Sequence, residues 1–505
     1  MTVGTARRGL PTGLAWLLLA IVAVLLAVAN GRWSVWPAAW LAPMLLVVFV
    51  DSQPPRRGLG AAFVVQTLAF FVNWWGMIPV PGAWYYLVAG IYAFAYFLPF
   101  VLHRLTLEHV HGMVATLVLP MSWVVAEFLF QQVVTPYGSW ASLAYTQVDN
   151  LPLLQLASVT GTSGISFLIL WCASVMASLW RNRQSLRTAR SGALVFAAVL
   201  LATLAWGQYR VASAPEGDDA LRIASLTPSR TLQRNFETAF RPVTATPPID
   251  DAVRARATEA AGVLNADLLN RTRRQAQAGA KLVVWSEHAA RVTRETEGKL
   301  IEDARTLARE LDIILIMGIG VWDPDSSPSF ENKAVAIQPD GEVALSYSKA
   351  RPIVGSESSL IARGDPEIGI LETRHGILAT VICHDLDFPD FIRTAGKRGV
   401  AVLFGPSSDW TEIASLHARM ATVRAVENGC SLVRPCANGL SAVADPLGRI
   451  VATEADRGDH GTSLDARLTL IRKKTIYPLA GDFLAYLSLA GLLVVLLWSR
   501  YRSRR

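Results

Sequence analysis

Apolar residues fill 12–208 in near-continuous blocks and return in a last block at 482–499. A helix needs about 20 apolar residues to cross a hydrocarbon core, and in lipid the backbone must satisfy its own hydrogen bonds. Both ends of the chain are therefore committed to bilayer helices. Residues 212–475 between them have ordinary globular composition. Hydrophobic residues make up 52% of the 505 and charged residues 17%, against about 25% charge in soluble proteins. The reading is a multi-span α-helical membrane domain over 1–211, an α/β domain over 212–475, and a C-terminal transmembrane helix with a basic tail over 482–505.

Eight spans are expected, near 12–30, 34–50, 58–79, 84–106, 113–130, 161–180, 192–208 and 482–499. The first block could instead be a signal peptide, but its run is long for one and more spans follow at once. Lys and Arg set the orientation. Arg7, Arg8, Arg56, Arg57, Arg104, Arg181, Arg183, Arg187, Arg190, Arg500, Arg502, Arg504 and Arg505 fall on one set of flanks, and only Arg32 on the other. Both termini then lie in the cytoplasm and residues 212–475 lie on the outer side of the membrane. The net charge of +7 follows from these loops. With no basic helix or aromatic-interleaved patch, no nucleic-acid partner is expected.

Glu127 lies near the outer end of its span. An ionisable residue there is either functional or a carboxylate reaching for the interface. Residues 131–160, with Trp140 and Tyr145, are too short and polar to span twice and read as an interfacial arm.

In the outer domain, short apolar runs alternate with amphipathic stretches. Strands are expected at 221–226, 281–285, 313–318, 333–338, 344–347, 377–383, 401–404, 431–434 and 441–445, and helices at 252–279, 297–311 and 413–428. The mixture argues a layered α/β domain. Glu287, Lys349 and Cys383 each stand at a strand end, where a buried strand fixes a side chain and a loop frees it. Taken singly each is ordinary: a cap, a solvated charge, a core thiol. There is no CxxC pair and no Cys/His ligand spacing, so neither metal nor cofactor is expected. A Cys430–Cys436 disulfide stays open, as does the form of 228–250, rich in Pro and Thr.

As an ordered set, the three residues resemble the Glu-Lys-Cys triad of the nitrilase superfamily. The whole layout resembles the apolipoprotein N-acyltransferase family within it. Ala144-Tyr145-Thr146-Gln147, Asn150, Gly161, Gly164 and Phe167 carry the resemblance in the membrane part. Trp285-Ser286-Glu287, Tyr347-Ser348-Lys349, Cys383-His384-Asp385, Phe388-Pro389, His417, Arg424-Ala425-Val426-Glu427 and Arg434 carry it in the outer part. The resemblance implies an αββα sandwich outside the membrane and acyl transfer from a phospholipid, through a cysteine thioester, to the N-terminal amine of a diacylglyceryl lipoprotein. In that chemistry Glu287 takes the thiol proton and Lys349 faces the oxyanion. Glu357 and Asp385 would orient Lys349 and the amine, and Trp410 would support the site.

This chain departs from the family at Ser286, at Pro352 to Glu357, at His384-Asp385, at Ser407-Ser408-Asp409, and at Thr227-Pro228-Ser229. Those changes keep alive a membrane-anchored hydrolase with water as acceptor and a silent scaffold. A transporter is disfavoured by the few polar residues in the spans. A direct Cys383–His384 pair is disfavoured because strand neighbours point to opposite faces.

Overall fold

The computed structural model describes residues 10–184, 186–213, 220–245, 251–323 and 326–503. The flanks at Arg7, Arg8, Arg504 and Arg505 lie outside them, as do residues 246–250 of the Pro/Thr-rich stretch. The chain divides into two compact units, Met1–Ala214 with Ala480–Arg505, and Pro215–Leu479.

The first unit is helical. Among the described residues, its long helices are Thr12–Ala29, Trp36–Ser52, Pro55–Asn73, Ala83–Thr106, Gly112–Leu129, Thr162–Arg181, Arg187–Ala212 and Phe483–Ser503. Six helical stretches among the described residues are long and apolar enough to cross a membrane: Thr12–Ala29, Ala83–Thr106, Gly112–Val134, Thr162–Arg181, Ala189–Ala212 and Phe483–Tyr501. Two of the eight expected spans fall short. Trp36–Ser52 has 17 residues, about 26 Å against a core of about 30 Å. Pro55–Asn73 opens on Arg56 and Arg57 and buries Gln66 and Asn73.

A buried ion cluster ties three helix ends together. Asp51, at the end of Trp36–Ser52, meets His103 Nε2 at 3.2 Å and pairs with Arg181. Arg56–Arg57, Arg104 and Arg181 thus share one end of this unit.

The stretch 131–160 is exposed at Gln132, Val133, Val134 and Pro136 and packs inward from Tyr137 onward. It folds as turns and short helices, and Trp140 and Tyr145 are fully buried. Its polar groups find partners inside the bundle: Asn30 Nδ2 donates to Ala141 O at 3.0 Å, and Trp40 Nε1 to Gln147 Oε1 at 3.0 Å. Glu127 is 2% exposed and accepts from the Leu143 N–H at 3.2 Å. It does not reach for the interface.

Among the described residues, the second unit holds fifteen strands: β1 (Ala220–Leu226), β2 (Leu282–Trp285), β3 (Ala290–Thr293), β4 (Ile314–Trp322), β5 (Phe330–Ile337), β6 (Val343–Ser348), β7 (Gly369–Thr373), β8 (Gly376–Thr380), β9 (Val402–Phe404), β10 (Ser407–Ser408), β11 (Ser431–Arg434), β12 (Cys436–Ala437), β13 (Leu440–Ala444), β14 (Ile450–Ala455) and β15 (Ser463–Thr469). One sheet runs β15-β1-β2-β4-β5-β6, with β3 on β4. The other runs β14-β13-β11-β9-β8-β7.

Period-two alternation makes the layers. Leu282, Val284, Ile314 and Ile316 face Leu378, Val402, Phe404 and Val433 between the sheets. Val283, Trp285, Leu315 and Met317 point the other way, onto Leu268 and Leu300 of the helices Asp251–Gln277 and Arg294–Leu311. Ala379, Leu403 and Leu432 do the same behind the second sheet, against Ile392 and Ala421 of Pro389–Arg398 and Ala414–Asn428. This is an αββα sandwich.

Several elements differ from expectation. β3, β7, β14 and β15 were not foreseen, because their exposed faces carry Ser, Thr, Asp, Glu and Arg like a loop. The helix Arg230–Ala245 occupies much of the Pro/Thr-rich stretch. Cys430 and Cys436 are unpaired. Cys430 packs in the core behind the second sheet, while Cys436 lies against Asp409.

Candidate active site

Parallel strands bring their C-terminal ends together, the usual place for a site in an α/β layer. Glu287 follows β2, Lys349 follows β6 and Cys383 follows β8 by three residues. Gly318 on β4 lets the Glu287 loop sit close, since a Cβ there would stand 2.0 Å from Ser286 O.

The three expected residues meet, and all are buried. Lys349 Nζ donates to Glu287 Oε1 at 2.8 Å and to Glu357 Oε2 at 2.7 Å. Asn332 Nδ2 donates to Glu287 Oε1 at 2.7 Å, and the Ser408 N–H to Glu287 Oε2 at 2.8 Å. Cys383 Sγ lies 3.7 Å from Ser408 O. The Ser408 peptide therefore touches base and thiol at once.

Cys383 is not the end of a strand. β8 stops at Thr380, and Cys383 opens a short 3-10 turn to Asp387. Its φ of 47° is left-handed, a conformation that costs about 1–2 kcal/mol for a non-glycine residue. The Cys383 N–H donates to Pro406 O at 2.9 Å and holds it there. Strand alternation therefore does not govern His384. Its Nδ1 bonds Arg351 O at 2.8 Å instead.

Asp385 does not reach Lys349 as a partner either. It braces the turn, accepting from Tyr347 Oη at 2.7 Å and from the backbone N–H groups of Ile382 and Arg351, each at 2.8 Å. Glu357 does hold Lys349. Trp410 stands edge-on to His417 at 6.0 Å. Glu127 belongs to the helical unit.

The electrostatics set a resting state. Burial works against the Lys349 ammonium, but Glu287 and Glu357 override it and raise its pKa well above the ordinary lysine value. Burial likewise pushes Glu357 up, yet Lys349 brings it below the usual range. Burial and the Glu287 charge push the Cys383 thiol well up, with Lys349 pulling the other way. The thiol thus rests neutral beside the Lys349 ammonium. Burial pushes Asp385 up to about 6.

Behind Cys383 is a second network. Asp409 accepts from Arg434 Nη2 at 3.0 and 2.9 Å and bonds His417 Nδ1 at 2.8 Å. His417 Nε2 faces Asp387 Oδ2 at 3.2 Å. Cys383 Sγ, an Asp409 oxygen and a His417 nitrogen lie within 4.8 Å of one another. Asp409 is already committed to a guanidinium and an imidazole, so these three form an ion-pair network rather than an open set of ligands. Sequence reasoning marked Tyr347, His417 and Arg434 without roles and missed Asn332 and Asp387. Only sheet pairing brings Asn332 to Glu287, 45 positions away.

Two family models match. One, the apolipoprotein N-acyltransferase N-terminal domain, covers residues 22–175, and the carbon-nitrogen hydrolase model covers 253–467. Between them the two matches make the chain similar to the apolipoprotein N-acyltransferase family over most of its length. The family's enzyme of Geobacter metallireducens is 25% identical, over 95% of this chain and 94% of that one. That of Azotobacter vinelandii is 26% identical, over 96% and 95%. Among solved structures, an amidase from Nesterenkonia sp. superposes with a TM-score of 0.38 at 21% identity, covering 49% of this chain and 90% of that one. Acyltransferase chemistry in a nitrilase-type domain thus comes with the family, beside helices apolar enough for a membrane.

Proposed function

We propose that the protein moves an acyl chain from a membrane phospholipid, through a thioester on Cys383, to the N-terminal amine of a diacylglyceryl lipoprotein. The observation that carries the reading is Cys383 set beside the Glu287–Lys349 pair, on a chain whose other unit is a bundle of apolar helices.

Glu287 takes the proton of the Cys383 thiol, and the sulfur attacks the ester carbonyl. Lys349 faces the oxyanion that forms; such a donor is worth about 2.7–4 kcal/mol of barrier. The carbon–oxygen bond breaks, the lysophospholipid alcohol leaves with the proton from Glu287, and a thioester remains. The acceptor amine attacks next, Glu287 takes its proton, and the thiolate departs and is reprotonated. Asn332 and the Ser408 N–H hold the carboxylate in place, and Glu357 holds the ammonium. Glu127 takes no step.

Both substrates carry lipid tails, so a membrane enzyme avoids drawing acyl chains into water at about 0.8 kcal/mol per methylene. The catalytic unit lies on the outer face, with both termini inside. The ion cluster at Asp51 supports this, because it gathers the basic flanks at one end of the helical unit, as a positive-inside arrangement requires.

The test is intact mass spectrometry of the purified chain incubated with phospholipid alone. An acyl-sized increase that disappears in Cys383→Ala supports the reading. Absence of any adduct in folded protein, with free fatty acid released whether or not an amine is added, would turn it into a hydrolase.

A further inference from the structure

We infer that His288 is a positioning residue for Glu287: its neutral imidazole N–H faces the side-chain oxygen of Asn332 and so keeps the NH2 end of that amide turned to the base. The inference rests on the reading of Glu287 as the base that serves Cys383, and adds the group that orients its support.

The two oxygens of Glu287 are held unequally. Oε1 accepts from Lys349 Nζ at 2.8 Å and from Asn332 Nδ2 at 2.7 Å. Among the described residues, Oε2 accepts only from the Ser408 N–H, at 2.8 Å, and Ser408 O stands 3.7 Å from Cys383 Sγ. Oε2 is therefore the oxygen left to take the thiol proton, as long as Asn332 keeps its donor on Oε1. A primary amide has two unlike ends. Turned over, Asn332 would set its oxygen against the carboxylate, acceptor against acceptor.

His288 is placed to prevent that turn. Asn332 is 0% exposed, and its Oδ1 has no hydrogen-bond partner among the described residues. His288 Nε2 is buried and equally without one. The His288 ring packs edge-on to Phe330 at 5.3 Å. Phe330 and Asn332 are two residues apart on β5 and share one face, and the imidazole lies against the Asn332 side chain. Arg291, Gly320 and Asn332 stand in one row across β3, β4 and β5. A Cβ on Gly320 would stand 2.8 Å from Arg291 Nη1, so the glycine makes room for the guanidinium in that row. Burial, and then the Arg291 and Lys349 cations, hold the His288 pKa well below its ordinary value, so the ring is neutral. A neutral imidazole has one N–H to give, and an amide oxygen can only accept. The φ of His288 is 52°, a left-handed backbone that glycine adopts more readily. A ring kept at such a position points to a task for the ring.

The experiment follows formation of the acyl adduct by intact mass, over a range of phospholipid concentrations, on the detergent-solubilised full chain. His288→Phe keeps the contact with Phe330 and removes the N–H. It is expected to lower the maximal rate by about tenfold or more, with the half-saturating phospholipid concentration unchanged, since the base is affected and lipid binding is not. His288→Gln restores a donor and is expected to return to within about threefold of the parent. With Asn332→Ala already in place, His288→Phe should slow the reaction no further, because His288 acts through that amide. A role in packing alone predicts losses that multiply and a Gln variant as slow as the Phe one; either result overturns the inference. So does a parent rate in folded His288→Phe. If that variant does not fold, His288→Gly, which suits the left-handed backbone, takes its place: a tenfold slowing supports the inference and a parent rate sinks it. If the parent itself forms no adduct, the thioester reading fails first and the inference falls with it.

Discussion

Replacing Lys349 with Met separates what the ammonium does for the fold from what it does for the chemistry. Its Nζ bridges two carboxylates at 2.8 and 2.7 Å, and its side chain is 0% exposed. Removing one partner of a buried pair costs about 3–5 kcal/mol, because the other charge is left uncompensated. In a unit of this size that is a fall of roughly 10 °C in the melting temperature. Loss of the donor facing the oxyanion should slow thioester formation by about 10²–10³. In Lys349→Met with Glu287→Gln and Glu357→Gln, no buried charge is stranded. Thermal melting should return toward the parent value, while the acyl adduct, followed by intact mass after mixing with phospholipid, stays absent. An adduct forming in Lys349→Met at the parent rate would refute the role of the ammonium. A triple variant no more stable than the single one would refute the stranded-charge explanation of its instability.

Other outcomes follow from the same geometry. Asn332→Ala removes one donor to Glu287 and should cost about 1–3 kcal/mol of transition-state stabilisation, read as a roughly tenfold or greater slowing of adduct formation with Cys383 still alkylated. Asp387 and Asp409 outweigh burial and raise the His417 pKa from the ordinary histidine value of 6.5 to about 9. Its contribution to stability is therefore complete below about pH 6.5 and is lost as pH rises toward 9. Melting curves of the parent should decline over that window, and those of the His417→Gln, Asp387→Asn double variant should decline less. All four cysteines are free, so alkylation of unreduced, denatured protein should add four tags; two tags would indicate a disulfide.

Much of the architecture was written locally. Apolar blocks near the length of a bilayer reported the long helices, and alternation in Leu282-Val283-Val284-Trp285 reported a strand buried on both faces. Local pattern failed where the exposed face of an element is polar. β15 alternates buried and exposed residues as Ser-Leu-Asp-Ala-Arg-Leu-Thr, yet it reads as a loop beside the richer strands. At 131–160 Trp and Tyr suit an interface and a bundle core equally well, and only the fold shows Trp140 and Tyr145 packed inside.

The sequence by itself brought forward the side chains of the proposed chemistry, because Glu287, Lys349 and Cys383 each close an apolar run and their order resembles a known triad. Tertiary structure alone decided what surrounds them. Asn332 reaches Glu287 through strand pairing. Asp385 turns to its own loop because Tyr347 and two backbone N–H groups claim it. Asp387, Asp409, His417 and Arg434 become one charge cluster only when a turn, a two-residue strand, a helix and β11 converge behind Cys383. The physical reason is range. Periodicity and hydropathy act over a turn or a strand, whereas a hydrogen bond or an ion pair depends on three-dimensional proximity that no local pattern encodes.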